Sequence, residues 1–176
     1  SRKAGKAAEK ATKAGLEACA AGRTENDVTA EVFRVLLAEG SEYMGLYPFI
    51  TSGSRSALGH ATWRNRTLKK GDVVFIELAA CVRRYHAAQM RSVVIGQPSE
   101  KMTKIAEAVS GGLTAAVEGI RPGATSEQVD DACRGVIARA GFGHYFRHRT
   151  GYSIGIAFPP DWGEGDIMSL KSGDPT

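Results

Sequence analysis

The sequence predicts an α+β fold made of two similar halves, each a helix pair followed by antiparallel strands. Three observations carry that expectation. A helix-turn-helix pattern occurs twice: Gly22, Thr24, Val28, Val35 and Gly40 match Gly123, Thr125, Val129, Val136 and Gly141 at one constant offset. An apolar run, Val73 to Ala80, is followed by a turn-like Cys81-Val82-Arg83-Arg84 and a second strand-like run from Tyr85 to Gly96, as a hairpin requires. The turn Leu68-Lys69-Lys70-Gly71-Asp72 that feeds this hairpin is echoed by Met168-Ser169-Leu170-Lys171-Ser172-Gly173-Asp174, so further strands are expected after Thr176. On this reading residues 1–176 form one partial domain, with a first half at about 4–96 and a second at about 99–176.

The elements follow in order. Small apolar residues recur at three- and four-residue spacing over 4–21, which predicts a helix able to approach a neighbour closely, and Gly22 stops it. Thr24 is placed as an N-cap with Asp27 at N3, and Val28, Val32, Val35 and Leu36 face the core of a second helix ending near Gly40. Tyr47 to Thr51 reads as a strand leading to Ser52-Gly53-Ser54, and the apolar hairpin strand carries one acid, Glu77. Gln97-Pro98-Ser99 ends the sheet, with Ser99 capping a helix that begins near Lys101 and presents Met102, Ile105, Ala106, Val109, Leu113, Ala116, Val117 and Ile120 as its apolar face. Pro122-Gly123 breaks it. Thr125 with Gln128 at N3 opens the last helix, whose face is Val129, Cys133, Val136 and Ile137 before Gly141.

Composition narrows the function classes. The chain has 176 residues, 43% hydrophobic and 24% charged, which suits one sizeable core. No run approaches the apolar length of a membrane span, and Ser1-Arg2-Lys3-Ala4 opens without an apolar secretion segment. Cys19, Cys81 and Cys133 lie far apart with apolar neighbours, so they read as buried free thiols in a reducing cytoplasm, without a zinc or iron–sulfur site. The formal charge of +4 is scattered among Lys3, Lys6, Lys10, Arg64, Arg66, Lys69, Lys70, Arg83 and Arg84, which is no stripe for nucleic acid.

The chemistry-bearing residues cluster in a few runs. Glu77 on its apolar strand could pair with a cationic group, or act as a base with a pKa raised by desolvation. The plainer reading pairs it with Arg84, Arg91 or Arg149. His60 stands among small residues in Ser54-Arg55-Ser56-Ala57-Leu58-Gly59-His60-Ala61, which leave a ligand room. His148 and Arg149 would point to opposite sides of a regular strand, and His148 is placed inward. Tyr152 could donate its hydroxyl to a developing oxyanion or pack as an ordinary aromatic. His86 follows Tyr85 on the hairpin as a supporting residue, and His144 is placed at the surface. In Phe158-Pro159-Pro160-Asp161-Trp162-Gly163-Glu164 the prolines stiffen a loop and Trp162 offers a flat wall beside Asp161 and Glu164, suited to a compact solute.

Taken together, Gly71-Asp72-Val73-Val74-Phe75-Ile76-Glu77, Tyr85-His86-Ala87-Ala88 and Gly151-Tyr152-Ser153-Ile154-Gly155 resemble the creatinase, prolidase and methionine aminopeptidase superfamily of pita-bread hydrolases, over residues 4–174. The resemblance implies a pita-bread fold, a homodimer and a small-molecule substrate. In metal-dependent members the first ligand position falls here on Glu77, the second on Ala88 and the histidine on Tyr152, so the expectation is no bound metal and no cofactor. His60 and His148 match histidines near the substrate in the family. Gly151-Tyr152-Ser153-Ile154-Gly155, Pro159-Pro160-Asp161-Trp162-Gly163-Glu164 and Phe75-Ile76-Glu77-Leu78-Ala79-Ala80-Cys81 resemble the ectoine hydrolases within it. The leading expectation is therefore a metal-independent hydrolase of a non-peptide C–N bond in a small cyclic amidine. It assigns His60, Glu77, His148 and Tyr152 to catalysis, and His86, Arg149, Asp161, Trp162 and Glu164 to the substrate. The alternatives are a metal-dependent Xaa-Pro dipeptidase or aminopeptidase, and an inactive solute-binding homologue.

Overall fold

The computed structural model describes residues 1–151 and 154–156. The expectations for Tyr152, Asp161, Trp162, Glu164 and the turn at 168–174 lie outside the described residues.

The chain divides into two compact units. The first holds residues 1–97 with 154–156. Its elements are α1 (Arg2–Ala18), α2 (Glu25–Ala38), β1 (Met44–Ser52), a 3-10 turn (Gly53–Ala57), β2 (Val73–Val82) and β3 (Tyr85–Val94). The strands form an antiparallel sheet in the order β1-β2-β3. Thr24 caps α2 as the sequence predicts: its hydroxyl accepts from the Asp27 amide and the Asp27 carboxylate accepts from the Thr24 amide. The tight turn between β2 and β3 places Arg83 and Arg84 at φ 52° and 65°. Glu42 holds that strained corner by accepting from the Arg83 amide at 2.8 Å and the Arg84 guanidinium at 2.7 Å.

One face of the sheet makes the core. Val74, Ile76, Leu78, Ala80 and Ile50 pack under Ala4, Ala7, Ala8 and Ala11 of α1 and Val28, Val32 and Leu36 of α2. Small residues let α1 come close: a Cβ added to Gly15 would lie 2.7 Å from Val32 Cγ2 and 3.2 Å from Ile76 Cδ1. Because side chains alternate along a strand, Phe75, Glu77, Ala79 and Cys81 project to the other face.

The second unit contains α3 (Glu100–Gly119) and α4 (Ser126–Arg139), followed by a 3-10 turn at Gly143–Tyr145. Thr125 and Gln128 form the same reciprocal cap as Thr24 and Asp27, which bears out the repeated helix-pair pattern. The packing face of α3 departs from the sequence reading. Ala108, Gly112 and Ala116 are its buried residues, and a Cβ on Gly112 would meet Ile137 and Cys133 near 3 Å, so small residues face α4. Val109, Leu113, Val117 and Ile120 are exposed among the described residues. Residues 146–151 form bends and loop where the spacing argument assumed a strand. Among the described residues no helix is long and apolar enough to cross a membrane, and Cys19, Cys81 and Cys133 are free thiols.

Candidate active site

Strand register puts the chemistry of the first unit on the sheet face away from the helices. Glu77 pairs across β3 with Met90, Ala79 with Ala88, and Cys81 with His86. On the other side Phe49 of β1 is opposite Glu77. Glu77, Phe49, Met90, Ala88 and His86 therefore share one face.

Glu77 is nearly buried, at 9% exposure. Burial raises its carboxyl above the ordinary carboxylate range, and the positive charge of His60 works against that rise. Arg84 pairs with Glu42 and Arg91 donates to the Met90 carbonyl, so neither takes Glu77 as its hydrogen-bonded partner.

His60 reaches this face from the loop that leaves β1. Its ring lies over Phe49, with centroids 5.2 Å apart and planes inclined at 35°, and its backbone sits at φ 58°. The loop is anchored on both sides. The wholly buried Glu25 carboxylate accepts from the Ser52 hydroxyl at 2.7 Å, Arg55 Nη1 at 2.9 Å and the Arg64 amide at 2.7 Å. Arg66 forms a forked pair with Asp72 at 2.6 and 3.0 Å, and its hydrogen bonds hold the Asp72 carboxyl below its usual range.

His86 stands farther along the same face, four residues from the Glu77 rung or roughly 13 Å at strand spacing. It is buried. Its Nδ1 is 3.1 Å from the Arg84 carbonyl, its Nε2 has no hydrogen-bond partner among the described residues, and its backbone amide donates to the Gly155 carbonyl. Gly45 makes space for the ring, since a Cβ there would lie 2.6 Å from His86 Cδ2.

His148 and Arg149 are exposed on the 146–150 loop of the second unit. Arg134 ties that loop to α4 by donating to the Phe146 and His148 carbonyls at 3.0 and 2.6 Å. Asp130, itself paired with Arg134, accepts from the Thr150 amide and hydroxyl. Burial works to raise the Asp130 carboxyl, but the hydrogen bonds from Thr150 and Arg134 outweigh it and hold it low. His144 is exposed, as expected.

Sequence reasoning missed Phe49, Glu25 and Arg55. Glu25 reads as an ordinary first-turn acid favoured by the helix dipole, and nothing in its neighbours signals burial. The Phe49–His60 contact depends on a loop conformation that periodicity does not encode.

The first unit sets one helix pair on one face of an antiparallel sheet and leaves Glu77 on the other, with His60 against Phe49 of that face. The whole-chain comparison makes the family explicit: residues 1–174 match the model of metallopeptidase family M24, and the chain belongs to that family. An Xaa-Pro dipeptidase of Pyrococcus horikoshii is 36% identical over 88% of this chain and 44% of its own length. The crystal structure of the prolidase from Pyrococcus horikoshii superposes with a TM-score of 0.88 at 33% identity, covering 99% of this chain and 48% of that one. This bears out the pita-bread reading. The ectoine hydrolase of Halomonas elongata is 30% identical over 92% of this chain and 42% of its own length. The chain thus spans about half the length of the relatives it matches.

These findings correct the functional expectation. Xaa-Pro dipeptidases exceed the ectoine hydrolase in identity, so the metal-independent, non-peptide reading gives way to its peptidase alternative. The three short motifs misled because they weigh a few substituted positions above the whole chain.

The family's metal-dependent members raise the question of a two-ion centre. Such a centre needs bridging carboxylates to offset its charge. On this face Glu77 is followed one rung on by Ala79 and Ala88, which offer only methyl groups. Among the described residues no three His, Cys, Asp or Glu side chains come together. The donor set of the described residues does not fit two ions.

Proposed function

We propose that the full-length protein hydrolyses the C–N bond of a small dipeptide-like substrate, with an Xaa-Pro dipeptide as the best-supported class. The observation that carries this reading is the Xaa-Pro dipeptidase relative at 36% identity over 88% of the chain. The arrangement of Glu77 and His60 supports it. A carboxyl with a raised pKa holds a proton closer to neutrality than a solvated one, so Glu77 is suited to exchange a proton with the attacking water or the leaving nitrogen. His60, within electrostatic reach and stacked on Phe49, is suited to hold a substrate carboxylate or to share that proton. His86 lies on the same sheet face as Glu77. On the sequence resemblance alone, His148 and Tyr152 are kept as candidates for catalysis, and Arg149, Asp161, Trp162 and Glu164 as candidates for binding the substrate.

The test is release of free proline from a panel of Xaa-Pro dipeptides by full-length protein, with and without added divalent ions. Turnover in either condition supports the reading, and no release in both overturns it. A homodimer and a cytoplasmic location belong to the same reading. Sedimentation of the full-length protein tests the first, and fractionation of the source cells the second.

A further inference from the structure

The 53–64 loop carries His60 and leaves β1 through a short 3-10 turn, Gly53–Ala57, with no regular structure to follow. His60, exposed on this loop, adopts a left-handed backbone at φ 58°, which is uncommon for a non-glycine residue. The two limbs of the loop on either side of it converge on one group. The carboxylate of Glu25, wholly buried at the start of α2, takes the Ser52 hydroxyl and Arg55 guanidinium from the N-terminal side of the loop and the Arg64 amide from the C-terminal side. Arg55 extends the tie by donating Nη2 to the Thr62 carbonyl at 2.5 Å. Trp63 meets Phe33 of α2 edge-on at 5.9 Å.

We infer that Glu25 is a positioning residue for His60: its buried carboxylate draws both limbs of the loop to one point and so seats the imidazole on Phe49 beside Glu77. This inference rests on the proposed hydrolase for its kinetic consequence, but not for its geometry. A carboxylate is needed because its two oxygens accept from three separate donors, whereas an amide would turn an N–H toward one of them. A displaced imidazole costs rate, since misplacement by about 1 Å can cost about 100-fold.

The experiment uses full-length protein and two readouts. The first is the NMR resonance of His60 Hε1 at one fixed pH, assigned by His60→Gln, whose ring-current shift from Phe49 is marked by Phe49→Leu. Glu25→Gln should collapse that shift while the other histidine resonances stay dispersed. Arg55→Lys should do the same, because its ammonium cannot serve Glu25 and Thr62 together, and it serves if Glu25→Gln does not fold. The second readout is kcat/KM on an Xaa-Pro dipeptide, expected to fall about 100-fold. Adding Glu25→Gln to His60→Gln should cause no further loss. A His60 resonance unmoved by either variant, or losses that multiply with His60→Gln, overturns the inference. If the protein cleaves no dipeptide yet the resonance collapses, the positioning stands and the peptidase reading falls.

Discussion

Phe49 and His60 stack 5.2 Å apart, and Phe49 is the β1 residue opposite Glu77. The sheet register sets Phe49 opposite Glu77, and a tethered loop brings His60 against the same ring.

Glu77 should destabilise the fold at neutral pH. Its folded-state pKa is raised, so the protonated form is favoured in the native protein, and stability held below the ordinary glutamic pKa of about 4.3 is lost as pH rises through the folded value. Glu77→Gln removes that loss. Its melting temperature should exceed that of the wild type at pH 7, and the gap should close near pH 4.

The space for His86 depends on Gly45. Gly45→Ala would drive a methyl into the ring at 2.6 Å, against a buried strand pair. We expect a loss of about 1–3 kcal/mol, read from urea unfolding. The double variant Gly45→Ala with His86→Ala should recover part of it, because the ring that clashes is gone.

Asp130 should open the 146–150 loop when protonated. Its carboxyl is held low, so its contribution is present above the ordinary aspartic pKa of about 3.9 and lost as pH falls through the lowered value. Asp130→Asn should produce the same opening at neutral pH. Hydrogen exchange at the Thr150 amide, which donates to Asp130, reports it directly.

Much of the fold was legible because its signals are local. Thr24 with Asp27 and Thr125 with Gln128 announce their caps, and Val73–Val82 returning as Tyr85–Val94 announces the hairpin with Glu77 upon it. The apolar stripe of α3 was misleading, since hydrophobicity marks what seeks cover, whereas Ala108, Gly112 and Ala116 are what let α4 approach. The site was legible only in part. Glu77 stands out as a lone acid in an apolar strand, but Glu25 owes its importance to long-range partners at 52, 55 and 64. Function is carried by the whole chain's likeness to the Xaa-Pro dipeptidases, which the substitutions at Ala88 and Tyr152 obscure in the short motifs.

Gly15 tests the close contact of α1 with its neighbours. Gly15→Ala adds helix propensity but places a methyl 2.7 Å from Val32 Cγ2. Packing should win over the propensity gain of about 1 kcal/mol, giving net destabilisation, and Val32→Ala in the same chain should relieve the clash.

The most direct measurement is kcat for an Xaa-Pro dipeptide with full-length wild type and Glu77→Gln, compared at pH 7 after circular dichroism shows both folded. Loss of about 100-fold or more in the variant is the expected result for a residue that moves a proton in the reaction. A variant that turns over like the wild type would contradict the assignment of this sheet face as the active site.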